Sequence, residues 1–373
     1  VIATTTWFFW QTVDPAKAFS AMLSVLVASC PCALSLALPV VHAAASRRLL
    51  DEGVLLTRGE AVAQLNRIDQ AVFDKTGTLT RGVPEITGLS INPDRPEFDD
   101  RAALDIACAL EANSAHPIAH AFLARQADRA FPAAESVTVH PALGLEGRVQ
   151  GVAWKIGTRE FAVDKSGQGD EHIWLADEAG WVARFELRDA LREGAEEAIA
   201  SLRSSGVRCA ILSGDGSRAV SEIAKRLGIE DWSARQSPEM KLAWLESCRA
   251  EGRHILMVGD GVNDAPVLAA ADVSMTVKGG AELANSTADM ILTSDSLALV
   301  ERTRYIAGRT RQLIRQNLTW AVMYNTSVMP LAVSGLLKPW MAALGMSLSS
   351  LLVVANAARL VRSGERVEGE SRP

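Results

Sequence analysis

The stretch that most constrains this chain is Val72-Phe73-Asp74-Lys75-Thr76-Gly77-Thr78-Leu79-Thr80. An apolar run, Ala71-Val72-Phe73, stops at a carboxylate, and a Lys, two Thr and a Gly follow at once. A buried strand that ends at Asp74 sets the carboxylate at the C-terminal edge of a parallel sheet, where open α/β sheets bind ligands. Gly77 permits a sharp backbone turn, and the N–H groups it exposes, the Thr hydroxyls and Lys75 can gather around a phosphate. Asp74 then faces an electrophilic phosphorus, and a carboxylate so placed can form an aspartyl-phosphate. Thr76, two residues on, offers no proton transfer near neutral pH. A phosphoenzyme formed here is expected to persist until another group activates water.

Three later stretches complete the set. Cys209-Ala210-Ile211-Leu212 runs into Ser213-Gly214-Asp215, where Ser213 can hold a phosphate oxygen. Ser237-Pro238-Glu239-Met240-Lys241 starts a helix from which Lys241 can reach in as a counter-charge. Ile255-Leu256-Met257-Val258 leads into Gly259-Asp260-Gly261-Val262-Asn263-Asp264-Ala265-Pro266. Asp260 and Asp264, with Asp74 and Thr76, supply hard oxygen ligands suited to Mg²⁺. Asp51–Asp69 reads as a short amphipathic connector into the Asp74 strand, and from there to Leu299 apolar strands alternate with charged helices, the pattern of an α/β fold.

The flanks read differently. Hydrophobic residues make up 48% of the 373, a share that points to membrane segments. The net charge of -6 gives no bulk basic character suited to nucleic acid. Five cysteines are too few for a disulfide framework. Val1–Trp10 is too short to span, Thr12–Lys17 reads as a polar loop, and Ala18–Ala45 holds no Asp, Glu, Lys or Arg and is long enough to cross a bilayer. In its middle, Pro31 frees backbone carbonyls between Cys30 and Cys32, and two thiolates there make a soft metal site. Arg47 and Arg48 mark a cytoplasmic exit. Leu318–Leu337 and the run from Trp340 to about Arg359 form a second membrane pair, turning at Lys338-Pro339. Tyr324, Asn325, Ser349 and Met346 lie within these runs, where polar groups default to a functional reading. His42 lies ten residues beyond Cys32, about 15 Å along a helix and out of reach of the thiols.

In this order the motifs DKTGTLT, SGD, PxxK and GDGVNDAP resemble those of P-type ATPases, a branch of the haloacid dehalogenase superfamily. The Cys-Pro-Cys, with Asn317–x6–Tyr324-Asn325 and Met346–x2–Ser349-Ser350, is similar to the monovalent-copper subgroup, and Ser213 in place of the commoner Thr resembles the branch that supplies copper for oxidase assembly. The resemblance implies a haloacid dehalogenase-like phosphorylation domain (49–83 and 188–299) with an inserted α+β nucleotide-binding domain (84–187). Membrane helices are implied at 1–48 and 300–361, with a charged tail at 362–373. It implies ATP held by Glu111, His116, Gly144, Gly157 and Thr158, although Ala115 and Ala142 stand where the family has Glu and Gly. It further implies Mg²⁺ at the phosphorylation site and a transported Cu⁺ or Ag⁺ on Cys30, Cys32, Met346, Tyr324, Asn325 and Ser349. Catalysis falls to Asp74, Lys75, Thr76, Ser213, Gly214, Asp215 and Lys241.

The implied setting is a multi-pass membrane protein of a bacterial-type plasma membrane, its catalytic domains cytoplasmic. Its partners are the lipid bilayer, a metal-delivering chaperone and the N-terminal half of the same pump. The family's Thr-Gly-Glu actuator loop has no counterpart in the sequence, which therefore reads as a fragment. The rival readings are a soluble haloacid dehalogenase-type phosphatase, a Zn²⁺/Cd²⁺-type pump and a non-catalytic metal-binding remnant.

Overall fold

The computed structural model describes residues 1–114, 116–125, 130–141, 143–163, 172–260, 264–278 and 287–362. Ala115, Ala142, Gly261, Val262, Asn263 and the tail from 363 lie outside them. Two compact units emerge, one formed by Val1–Phe73 with Glu193–Pro373, the other by Asp74–Arg192.

The first unit contains a seven-stranded sheet in the order β1-β13-β12-β11-β2-β9-β10. Its central members are β2 (Gln70–Phe73), β9 (Arg208–Leu212), β11 (Ile255–Gly259) and β12 (Val273–Thr276), all parallel. They are buried almost throughout, as unbroken apolar strands covered by helices on both faces should be. At the margins β10 (Asp231–Ser233) and β13 (Met290–Leu292) continue the parallel order, and β1 (Val54–Leu56) pairs antiparallel with β13. Phe73 sits opposite both Ile211 and Val258. The residues that follow each strand therefore leave the sheet at one level: Asp74, Ser213 and Asp260. Helices α8 (Ala195–Ser204), α9 (Ser217–Leu227), α10 (Pro238–Ala250) and α11 (Ala265–Ala270) link the strands. The α10 start is capped by Ser237, whose side chain accepts from Met240 N–H, with Pro238 in the first turn.

The same unit also carries helices that are not part of the strand connections. The loop expected at Thr12–Lys17 shrinks to one residue: α1 (Ile2–Val13) and α2 (Pro15–Ala28) are separated only by Asp14. Asp14 caps α2 by accepting from Ala16 N–H, and Pro15 suits the first helical position. The chain then breaks at Ser29-Cys30-Pro31 before α3 (Cys32–Asp51). After the sheet, α12 (Ala298–Val333) runs 36 residues and α13 (Pro339–Arg362) runs 24. The stretches Pro15–Asp51 and Pro339–Arg362 are long and apolar enough to cross a membrane. Alanines at the contacts let these helices approach closely: Ala33 and Ala37 of α3 meet Ala321 and Val353.

The second unit is a six-stranded antiparallel sheet in the order β3-β8-β7-β6-β5-β4. Its strands are β3 (Thr80–Ile91), β4 (Ala134–His140), β5 (Gly144–Val149), β6 (Val152–Gly157), β7 (Ile173–Asp177) and β8 (Gly180–Leu191). Helices α5 (Asp100–Glu111) and α6 (Pro117–Arg125) close its core, where Leu110, Phe122 and Phe185 are fully buried. The unit is wider than an insertion cut at Pro84 and Leu187, because β3 and β8 pair along nearly their whole length. Pro84 is accommodated on an edge strand at a register shift, where a missing N–H costs least.

Candidate active site

Asp74 is peptide-bonded to Phe73 at the end of β2, so its place is set by the first unit's sheet, and it is buried. Lys75–Leu79 form the turn beyond it, with Gly77 at φ +74°, a conformation glycine adopts without strain. The turn is held from within the second unit. The buried Arg192 donates from Nε to the Thr78 carbonyl at 3.1 Å and from its terminal nitrogen to the Gly77 carbonyl at 2.5 Å. Its own backbone N–H donates to the Leu79 carbonyl at 2.8 Å. Thr80 Oγ1 donates to the Lys75 carbonyl at 3.0 Å, and the Asp189 carboxylate accepts from Gly82 N–H. The Thr78 hydroxyl is buried with no hydrogen-bond partner among the described residues, at a cost of about 1–3 kcal/mol.

Carboxylate oxygens of Asp260 and Asp264 lie within 4.8 Å of each other, at the end of the strand that pairs in parallel register with β2, the strand Asp74 follows. Acidic oxygens at that spacing suit a hard divalent cation such as Mg²⁺. Lys241 Nζ donates to Asp264 Oδ1 at 2.8 Å, and both groups are buried. The pair satisfies two charges that burial would otherwise penalise. Ser213, also buried, ends β9, and its hydroxyl accepts from Asp215 N–H at 3.1 Å. At Gly214 a Cβ would meet the Gln236 carbonyl at 3.6 Å, an ordinary van der Waals contact. Thr76 lies in the turn with extended backbone.

A second site lies wholly in the second unit. Glu111, His116, Gly144, Gly157 and Thr158 all line one cavity of about 210 Å³, whose other walls are mainly apolar, with Ile118, Val139 and Ile156 among them. Its size and lining fit a flat heteroaromatic ring with a few polar contacts. Glu111 is buried at the end of α5, and desolvation pushes its carboxyl up to about 7. His116 is exposed, and its Nδ1 accepts from Ile118 N–H. Gly144 and Gly157 are cross-strand partners at the mouth. A Cβ on Gly144 would fall 2.1 Å from the Ile156 carbonyl, and one on Gly157 2.2 Å from that of Leu143. Thr158 caps the short α7 (Arg159–Ala162) by accepting from Phe161 N–H.

In the membrane helices one expectation is corrected. Cys30 and Cys32, read as two thiolates, are joined to each other as a disulfide across Pro31. The break between α2 and α3 brings the two sulfurs together, but in the bonded form neither carries the charge that makes a thiolate ligand. Tyr324, Asn325 and Met346 are half-buried, and the Tyr324 hydroxyl lies against Gly345, beside Met346, where a Cβ would be only 2.6 Å away. Ser349 is buried and accepts from Trp320 Nε1 at 3.1 Å, so its hydroxyl joins α12 to α13. Asn317 does the same, donating to the Val353 carbonyl and accepting from Asn356.

Arg192 and Asp189 were not legible as site residues. Arg192 and Asp189 act across more than a hundred residues of chain on backbone groups, and no local pattern marks such a contact.

Comparison with known proteins fits this geometry. The model of the haloacid dehalogenase-like hydrolases matches residues 68–272. The nitrogen fixation protein FixI of Rhizobium leguminosarum is 37% identical over 95% of this chain and 46% of its own length. A probable copper-exporting P-type ATPase V of Mycobacterium tuberculosis is 34% identical over 97% of this chain and 49% of its own. The crystal structure of a zinc-transporting PIB-type ATPase in the E2.Pi state superposes with a TM-score of 0.83 at 29% identity, covering 96% of this chain and 62% of that one. The chain thus spans about half the length of the curated relatives it matches.

Proposed function

The chain belongs to the haloacid dehalogenase-like hydrolase family, with P-type ATPases as its relatives, and from that premise we propose that it is the catalytic half of a heavy-metal pump. It hydrolyses ATP through an aspartyl-phosphate on Asp74 and drives Cu⁺ or Ag⁺ across a membrane. The observation that carries this reading is the parallel register of β9, β2 and β11, whose ends lead into Ser213, Asp74 and Asp260 at one sheet edge, together with the buried Lys241–Asp264 pair.

ATP enters through the second unit, its base in the cavity lined by Glu111, His116, Gly144, Gly157 and Thr158. Asp74 attacks the γ-phosphorus in line, the bond to the departing ADP oxygen breaks, and the phosphoryl group stays on the carboxylate. Asp74, Asp260 and Asp264 would hold Mg²⁺, which supplies charge neutralisation at the phosphoryl oxygens. Ser213 and the Thr78 hydroxyl supply hydrogen bonds to those oxygens, and Lys75 and Lys241 supply positive charge. Thr76 leaves the intermediate without a neighbouring base, so it lasts long enough to drive a conformational change.

Soft ligands favour a monovalent ion: two reduced thiols, a thioether from Met346, and amide or phenol oxygens from Asn325 and Tyr324. The spanning runs supply no carboxylate for a hard divalent ion. The test is metal-stimulated phosphate release by the intact pump under reducing conditions. Cu⁺ or Ag⁺ should stimulate it, Cys30→Ser and Cys32→Ser should each abolish that stimulation, and Met346→Leu should weaken it. Stimulation by Zn²⁺ alone would move the chain to the divalent pumps.

A further inference from the structure

We propose that the groove where α3, the connector helix α4 (Ala61–Leu65) and α12 meet binds the phosphate headgroup of an anionic phospholipid from the cytoplasmic leaflet. This rests on the membrane reading above and goes beyond it. The groove encloses about 340 Å³, with Leu38, His42, Asn66, Arg67, Arg311 and Ile314 in its lining. Arg67 and Arg311 are exposed, and neither has an ion-pair partner among the described residues. Two free guanidiniums facing one concavity call for an anion, and their planar forks match phosphate oxygens. Leu38 and Ile314 give the same groove an apolar wall, which a soluble anion would not use but an acyl chain would.

Depth selects the lipid. His42 lies ten residues beyond Cys32, about 15 Å along α3, which is half the thickness of the hydrocarbon layer if Cys32 sits at its middle. On α12, Ile314 and Arg311 precede the apolar run at Leu318 by four and seven residues, about 6 and 10 Å. Both helices therefore bring the lining to headgroup level, where cytoplasmic basic pockets between membrane helices hold anionic lipids. The wall is also built. Asn66 Nδ2 donates to the Ala307 carbonyl of α12 at 2.9 Å and to the Val62 carbonyl of α4 at 3.2 Å, pinning the residue next to Arg67. The strand that ends at Asp74 begins at Gln70, three residues after Arg67, so an occupant sits on the connector between the metal helix and the phosphorylated residue.

The chain in mixed micelles with equal phosphatidylglycerol and phosphatidylcholine, read by native mass spectrometry, tests this. Phosphatidylglycerol should be retained preferentially. Arg67→Gln with Arg311→Gln should lower its retention about tenfold, whereas Arg315→Gln, outside this groove, should leave it unchanged. On the unsubstituted chain, phosphatidylglycerol bearing a diazirine acyl chain should cross-link to peptides containing Leu38 and Ile314, a result that does not depend on how the variants fold. Equal retention of the two lipids, cross-links confined elsewhere, or displacement by millimolar inorganic phosphate would overturn the lipid site. Alkaline-carbonate extraction separates the two claims. A chain that stays with vesicles yet shows no preference refutes the lipid site alone, and a chain that is extracted refutes the membrane reading.

Discussion

Arg192 is the residue whose role was least visible and whose geometry is most specific. It holds the Gly77 and Thr78 carbonyls of the turn after Asp74, and its loss leaves two buried acceptors to be satisfied again. We expect Arg192→Gln to slow phosphoenzyme formation at least tenfold and to lower stability by about 1–3 kcal/mol. Single-turnover quench and urea unfolding check the two parts, and an unchanged rate would make Arg192 purely structural. Glu111 gives the pH dependence. Its carboxyl is raised by burial from 4.5 to about 7, so the folded state keeps its proton where the unfolded state has lost it. The stability from this group is full below about 4.5, falls as pH rises, and is gone above about 7, a change of roughly 3 kcal/mol at most. Glu111→Gln should flatten that slope, as melting temperatures between pH 5 and 8 will show. Asp74, Asp260 and Asp264 were readable from sequence because each ends an apolar strand or opens a helix. The Cys30–Cys32 bond was not, because residue type does not report oxidation state.

At the scale of elements, β5 and β6 illustrate how a glycine pair shapes a cavity. Gly144 and Gly157 face each other with no room for a methyl group on either. Gly144→Ala or Gly157→Ala should force the strands apart and destabilise the second unit by about 3 kcal/mol or more. Hydrogen exchange will show this as lost amide protection in β5 and β6, while β2 and β11 keep theirs. Normal protection would mean that the strands absorb the change by a local shift. The periodicity showed the strands of this unit but not their ends: Pro84 reads as a breaker, yet β3 runs through it because an edge strand at a register shift tolerates proline. Asp14 shows the converse. A polar stretch reads as a loop, but one aspartate followed by proline is enough to end one helix and cap the next.

For the whole molecule, strands far apart in sequence become neighbours at the site. The parallel register of β9, β2 and β11 brings residues from positions 74, 213 and 260 to one edge, which is why motifs scattered over nearly two hundred residues could be read as a single centre. The stretches Pro15–Asp51 and Pro339–Arg362, long and apolar enough to cross a membrane, were legible as apolar runs, but their lateral packing was not, since alanine contacts such as Ala37 with Ala321 carry no pattern distinct from ordinary apolar sequence. The central claim is that Asp74 carries the phosphoryl group. The most direct measurement is labelling of the full-length protein with γ-³²P ATP and Mg²⁺, quenched in acid. The account predicts an acid-stable, hydroxylamine-labile label that disappears in Asp74→Asn; the same label surviving that substitution would contradict it.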